Sequence, residues 1–305
     1  MLTSLDLRAP AKVNLFLEVV GRRSDGYHDL ESVFQAISLY DDVTLTLSDR
    51  PGVRLRCSLP ILETQDNLAV AAARAFASAS GFSGGVEIDL RKRIPLQAGL
   101  GGGSSDAAAV LVGLNELTSG RLGTDQLRLI GASLGSDVPF FIDGGTALVT
   151  GRGESVTPVQ MQGAYHYLLF YPGFGVSTAD VYKNLSLKLT ENQKNAKVLS
   201  ALLALGNLEA AKQHFFNRLE QTAYGLEKRL AQASARMRCA VGDTGVNLCG
   251  SGASLFSAFV DSDRAYQAFR ALKGTGSGGV FLAESIRSRG TAGGPKGDSR
   301  GDFRS

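Results

Sequence analysis

The chain has 305 residues, 44% of them apolar and 20% charged, with a formal net charge of +3; that is enough to bury a substantial core and favours two domains or one large one. From Arg287 onward five basic residues stand against two acidic ones and account for the whole excess, so the body of the chain carries no electrostatic footprint for nucleic acid. No apolar run approaches the roughly 20 residues of a membrane span, and MLTSLDLRAPAK has neither the basic start nor the long apolar stretch of a signal peptide, which leaves the cytoplasm as the expected compartment. Cys57, Cys239 and Cys249 are odd in number, widely spaced and without C-x-x-C, an arrangement that suits buried thiols rather than disulfides or zinc.

In chain order, Leu2 to Ala9 and Val13 to Val20 read as two strands parted by Pro10, followed by Ser24, Asp25 and Gly26 as turn material. Asp42 to Leu47 alternates, as does Val53 to Leu59, the pattern of half-buried strands. The period then changes: Asp66 is placed to cap a helix through Ala79 that Gly81 ends, and Val86 to Arg93 forms the next strand. Past a glycine-dense loop, Ala107 to Leu117 is helical; Thr124 caps another helix with Gly135 as its stop, and Gly145 to Thr150 returns as strand. The second half opens with an apolar strand, Tyr165 to Tyr171, and then helices around 179–185, 193–205, 208–216 and 220–236. Strands at 246–249, 255–260 and 280–286, with a helix at 263–272, complete two α+β layers. The cut falls near Pro158, giving domains 1–158 and 159–286 and a disordered tail, 287–305, that has almost no apolar residues.

The stretch IPLQAGLGGGSSDAAAVLVGL, from Ile94 to Leu114, is the one around which the rest is organised. Gly99, Gly101, Gly102 and Gly103 give a backbone that turns sharply without a Cβ penalty, so several N–H groups can point at one anion. Ser104 or Ser105 is an N-cap for the helix that follows, and a helix N-terminus favours phosphate. The loop is neither a P-loop, since no Gly-Lys dipeptide occurs, nor a Rossmann loop, since Ser104 stands where a third glycine or alanine is needed; H-R-D and D-F-G are absent too. Asp137, in GSDVPFF, follows a helix stop and precedes a proline and two phenylalanines that make poor surface; an aspartate there is either a turn former or a base. A second glycine turn, Gly250, Ser251 and Gly252, leaves the strand at 246–249 and on its own is as consistent with a tight turn as with a site.

PLQAGLGGGSSDAA resembles the ATP-binding motif of the galacto-, homoserine, mevalonate and phosphomevalonate (GHMP) kinases, and PAKVNLFLEVVGRRSDGYHDLES and GSDVPFF extend the likeness over residues 8–286. The resemblance implies a two-domain α+β fold, with an N-terminal part like the second domain of ribosomal protein S5 and a ferredoxin-like C-terminal part. It implies ATP bound by Pro95, Leu96, Gln97, Ala98, Gly99, Leu100, Gly101, Gly102, Gly103, Ser104 and Ser105, with Asn67 near the adenine, although Asp66 beside it has a sufficient role as a cap. Asp137 is then the base and Lys12, otherwise a surface residue beside a strand break, the cation that keeps it ionised. Within the group the motifs are most similar to members acting on a cytidine diphosphate-linked methylerythritol in isoprenoid precursor synthesis. That implies cytosine recognition by Tyr27 and His28 with Tyr182 as a second ring, Asn14 in the acceptor site, and Gly250, Ser251 and Gly252 across the cleft from Ser104 and Ser105. Mg²⁺ accompanies ATP in any such transfer, with Ser104 and Ser105 as candidate ligands or with ATP and water holding it. The other readings are a mevalonate or homoserine kinase of the same group, a non-catalytic ligand-binding regulator, and a dinucleotide oxidoreductase. A monomer or weak homodimer is expected.

Overall fold

The structure, a computed structural model, describes residues 3–24, 26, 28–186, 194–274 and 278–288. Two long antiparallel strands, β1 (Ser4–Arg22) and β2 (His28–Ser48), form the spine of the first sheet. The expectation of two strands parted by Pro10 is corrected: Pro10 lies inside β1, and the register shifts between Pro10 and Ala11 while pairing with β2 continues. A bulge is where a ladder tolerates a residue with no N–H. Because β2 is so long, its other edge carries two partners in succession, β5 (Thr146–Gly151) at residues 30–35 and β4 (Gly85–Arg91) at 42–48. β3 (Gly52–Cys57) lies parallel to β4, and β6 (Ser155–Val159), absent from the sequence reading, pairs with β5.

Four helices belong with this sheet: α1 (Leu68–Ser80), α2 (Gly102–Leu117), α3 (Thr124–Leu134) and the short α4 (Val138–Asp143). Their starts differ from the expected ones. Asn67, not Asp66, caps α1 by accepting from the Ala69 N–H at 2.9 Å. α2 begins at Gly102 with Gly101 as its cap residue, ahead of Ser104 and Ser105, so the loop is tighter than the serines suggest. Gly123 rather than Thr124 sits at the α3 cap position, its N–H bonded to Gln126 Oε1 at 2.9 Å, and Gly135 ends that helix in extended rather than left-handed backbone.

The second sheet runs β11 (Gly279–Glu284), β7 (His166–Tyr171), β10 (Leu255–Phe259), β9 (Asn247–Leu248), all antiparallel. Around it lie α5 (Thr178–Lys183), α6 (Ala196–Ala204), α7 (Leu208–Lys212), α8 (Glu220–Leu226), α9 (Lys228–Val241) and α10 (Ser262–Lys273). The helix expected over 208–216 stops at Lys212. Phe216 and Asn217 form instead a short strand, β8, parallel to β1 at Phe16 and Leu17, and the Phe16 and Phe216 rings lie 5.7 Å apart. Tertiary pairing overrides helix propensity there. The helix expected over 220–236 is two, broken where Glu227 turns extended and caps α9.

The two sheets are joined at several points. One core cluster takes Val13 and Leu15 from β1 together with Tyr167, Leu169 and Phe256 from the second sheet. The chain end returns as well: Ile37 bridges Ser285, Gly144 bridges Ser288, and Gln35 Nε2 donates to the Ile286 carbonyl at 3.0 Å. Asp25, Tyr27, the segment 187–193 and the tail from 289 lie outside the described residues, so the expectations for Tyr27, for a helix start at Gln193 and for tail disorder fall there. Among the described residues no helix is long and apolar enough to cross a membrane.

Candidate active site

Lys12 follows the β1 bulge, and its backbone N–H donates to the Leu100 carbonyl at 2.9 Å, which stitches the strand to the glycine loop. Its side chain is 5% exposed, and a buried ammonium requires partners. Nζ donates to Asn14 Oδ1 at 2.8 Å, stands 3.5 Å from Asp137 Oδ2, and lies 4.6 Å from the centre of the Phe34 ring. Asn14 is itself oriented: its Nδ2 donates to Ser32 Oγ at 3.1 Å, and Ser32 donates to the Phe16 carbonyl. Asp137 occupies the cap position of α4 but makes no side-chain cap bond, and its carboxylate is 29% exposed. The turn-former reading would use the carboxylate locally; here it pairs with Lys12 in the lining of a cavity. Phe140 and Phe141 behind it are buried, as the poor-surface argument anticipates.

Two glycines of the loop are required by geometry. Gly101 has φ of 73°, and a Cβ there would lie 2.8 Å from the Phe141 ring and 3.2 Å from the Lys12 stem. Gly99 has φ of 75°, and its Cβ would meet the Cys249 carbonyl oxygen at 1.9 Å. The second glycine turn therefore packs directly on the first, with the Ser254 N–H donating to the Ala98 carbonyl at 3.1 Å. It sits beside residues 98–99 of the loop. Ser251 Oγ shares a 2.7 Å hydrogen bond with Thr178 Oγ1, which ties this turn to α5.

Two cavities meet at the loop. The smaller, about 220 Å³, is lined by Leu68, Lys92 and the run from Ile94 to Ser104. The larger, about 880 Å³, holds Lys12, Asn14, His28, Asp137, Tyr182, Gly250 and Ser251, and Gly99 and Gly101 line both. Pro95, Leu96, Gln97, Ala98, Gly102 and Gly103 thus all face the smaller space. Ser105 and Asn67 do not line it: Ser105 is 1% exposed, and the Asn67 amide is occupied by Ala69 N–H and the Leu62 carbonyl. Gly252 likewise lines neither cavity. His28 and Tyr182 come together, their ring centres 5.2 Å apart and tilted by 33°. Burial, helped by Arg22, lowers the His28 pKa, while burial and then Asp137 raise that of the Tyr182 phenol.

Three cations in the larger cavity, Arg22, Arg152 and Lys183, were not singled out from the sequence, and nothing distinguishes them there from the other basic residues. Among the described residues, Asp137 is the one carboxylate that lines that space. Such a lining favours an anionic ligand.

A model of the GHMP kinases N terminal domain matches residues 67–145, from the cap of α1 past Asp137. The 4-diphosphocytidyl-2-C-methyl-D-erythritol kinase of Syntrophus aciditrophicus is 39% identical over 285 residues, which cover 92% of this chain and 99% of that protein. The chain belongs to this kinase family. The enzyme of the same name from Shouchella clausii is 37% identical over 298 residues, 97% of this chain and 98% of its own. A crystal structure of 4-(cytidine 5'-diphospho)-2C-methyl-D-erythritol kinase superposes with a TM-score of 0.76 at 35% identity over 92% of this chain and 100% of that one. A homoserine kinase from Cytophaga hutchinsonii reaches 0.73 at 20% identity, covering 94% of this chain and 96% of that one, which shows the shared fold alone. The kinase is thus an α+β GHMP-type enzyme and a small-molecule phosphotransferase that uses ATP; homoserine and mevalonate kinases are distant neighbours.

Proposed function

We propose that this kinase transfers the γ-phosphoryl group of ATP to the 2-hydroxyl of 4-diphosphocytidyl-2-C-methyl-D-erythritol, with Asp137 accepting the hydroxyl proton. The observation that carries the proposal is the Lys12–Asp137 pair, 3.5 Å apart and lining the larger cavity where it meets the glycine loop. Phosphoryl transfer needs little covalent help from the protein: the hydroxyl must be in line, the phosphate charge offset and one proton removed. Asp137 Oδ1 or Oδ2 takes that proton. Lys12, anchored by Asn14, holds the carboxylate in place and adds positive charge beside the transferring group.

The nucleotide reading rests on α2, a 16-residue helix whose first turn opens on the smaller cavity. Its first helical bond is Ser105 N–H to the Gly101 carbonyl, which leaves the N–H groups of Gly102, Gly103 and Ser104 for an anion. Mg²⁺ bound with ATP would offset the phosphate charge, and among the described residues lining the smaller cavity Ser104 carries the hydroxyl that would face it. On the acceptor side about 880 Å³ accommodates a nucleotide-sized molecule. Arg22, Arg152 and Lys183 supply charge for its diphosphate, and the His28–Tyr182 pair supplies aromatic surface for its base, worth about 1–3 kcal/mol by stacking.

The test is purified protein with Mg-ATP and a panel of alcohols followed by phosphorus NMR. The reading expects a new phosphomonoester on the 2-oxygen of the cytidine diphosphate substrate and nearly inert homoserine and mevalonate. Turnover of either of those at a comparable rate would overturn it.

A further inference from the structure

Beneath the glycine loop lies a buried charge cluster that the phosphoryl transfer does not use. Asp41, fully buried on β2, accepts with Oδ1 from the backbone N–H groups of Arg93 at 2.5 Å and Ile94 at 2.9 Å, where the loop leaves the sheet. Its other oxygen takes the Lys92 ammonium. The same ammonium reaches Asp106 Oδ2, in the second turn of α2, at 2.6 Å. One cation therefore links the loop's entry to its exit, with 3% of the Lys92 side chain exposed and 0% and 4% of its partners. The helix start rests on the same group: a Cβ on Gly102 would lie 3.1 Å from the Ile94 side chain and 3.4 Å from Asp41 Oδ2. Lys92 borders the smaller cavity and not the larger one.

We propose that Lys92, bridging Asp41 and Asp106, is a positioning residue for the nucleotide, fixing the glycine loop and the first turn of α2 in the arrangement that receives the phosphates. The proposal rests on the reading of this loop as the ATP site. Lys92 acts through the backbone, because both of its carboxylate partners hold its ammonium away from solvent.

The cluster is unbalanced, two carboxylates to one ammonium, and Asp106 Oδ1 is buried with no hydrogen-bond partner. Burial exceeds the pull of Lys92 and, with repulsion from Asp41, lifts the Asp106 pKa to about 7. Burial opposes the Lys92 charge, but Asp106 and then Asp41 outweigh it, so its pKa is raised. Among the described residues Cys57, at the end of β3, also faces the cluster; burial pushes its thiol up, and Glu63 beyond it accepts from the Cys57 N–H.

Steady-state kinetics test the proposal by separating KM from kcat. Asp106→Asn keeps the volume and weakens the Lys92 bridge at the helix end, so KM for ATP is expected to rise about threefold with KM for the acceptor flat. Lys92→Met is expected to raise KM for ATP at least ~10-fold, with kcat at saturating ATP within about threefold, and Lys92→Arg to recover part of the loss. An unchanged KM for ATP in folded Lys92→Met or in Asp106→Asn overturns the proposal. Should Lys92→Met not fold, KM for ATP in Asp106→Asn decides. Calorimetric titration with a non-hydrolysable ATP analogue separates the two levels: no binding by wild type overturns the loop reading itself, whereas equal binding by wild type and Lys92→Met overturns only the positioning role.

Discussion

Asp137 and Lys12 are 125 positions apart in sequence and 3.5 Å apart in space, and the chemistry assigned to them depends on that closeness. Asp137→Asn keeps the shape of the side chain and removes its basicity, so kcat is expected to fall at least ~100-fold while KM for ATP changes little. Near-normal turnover in that variant, measured by coupled release of ADP, would remove Asp137 from the role of base. The burial behind Asp137 was legible because a proline and two phenylalanines after a polar residue make poor surface, whereas its reading as a base and not a turn former came through likeness. The motif around Lys12 was legible through likeness alone, since a lysine beside a proline reads as solvated until Asn14, Phe34 and Asp137 are seen to enclose it. Arg22, Arg152 and Lys183 were not legible at all. Their common feature is the cavity they line, and three isolated basic residues on different elements leave no pattern in the sequence.

The glycine loop shows how an element can serve stability and binding through different residues. A side chain at Gly99 would drive into the Cys249 carbonyl and at the same time strain a left-handed backbone, so Gly99→Val is expected to lower Tm and to separate the two glycine turns. Gly103 has no such neighbour, its nearest contact being Leu68 at 3.7 Å. Gly103→Ala should therefore leave Tm near wild type, although it adds a methyl group beside the phosphate-facing N–H groups and so raises KM for ATP. Equal Tm values for Gly99→Val and wild type, by calorimetry, would contradict the packing of one turn on the other. Most strands and helices were readable from their periods, but element ends were not. Asn67 in place of Asp66, and Gly101 in place of a serine, are choices between adjacent polar or glycine residues that only backbone geometry distinguishes. β8 was read as helix because Phe215 and Phe216 continue an apolar pattern, and what sets it is the exposed edge of β1 far away in sequence.

At the scale of the whole molecule the larger cavity lies between β1, β2 and the turn before α4 on one side and α5 and the second glycine turn on the other. β8 and residues 285–288 interlock the halves, so groups from both can be held in a fixed relation across the cavity. Such a construction lets binding energy from the far end of the acceptor orient its reacting hydroxyl against Asp137 and ATP, and that energy appears in rate as well as affinity. The most direct measurement is therefore kcat/KM for 4-diphosphocytidyl-2-C-methyl-D-erythritol against that for free 2-C-methyl-D-erythritol under the same Mg-ATP concentration. A ratio of at least ~1000, with kcat itself lowered for the truncated acceptor, is the predicted result. Equal values for the two acceptors would contradict the account, since they would mean that the aromatic pair and the three cations across the cavity contribute nothing to the reaction.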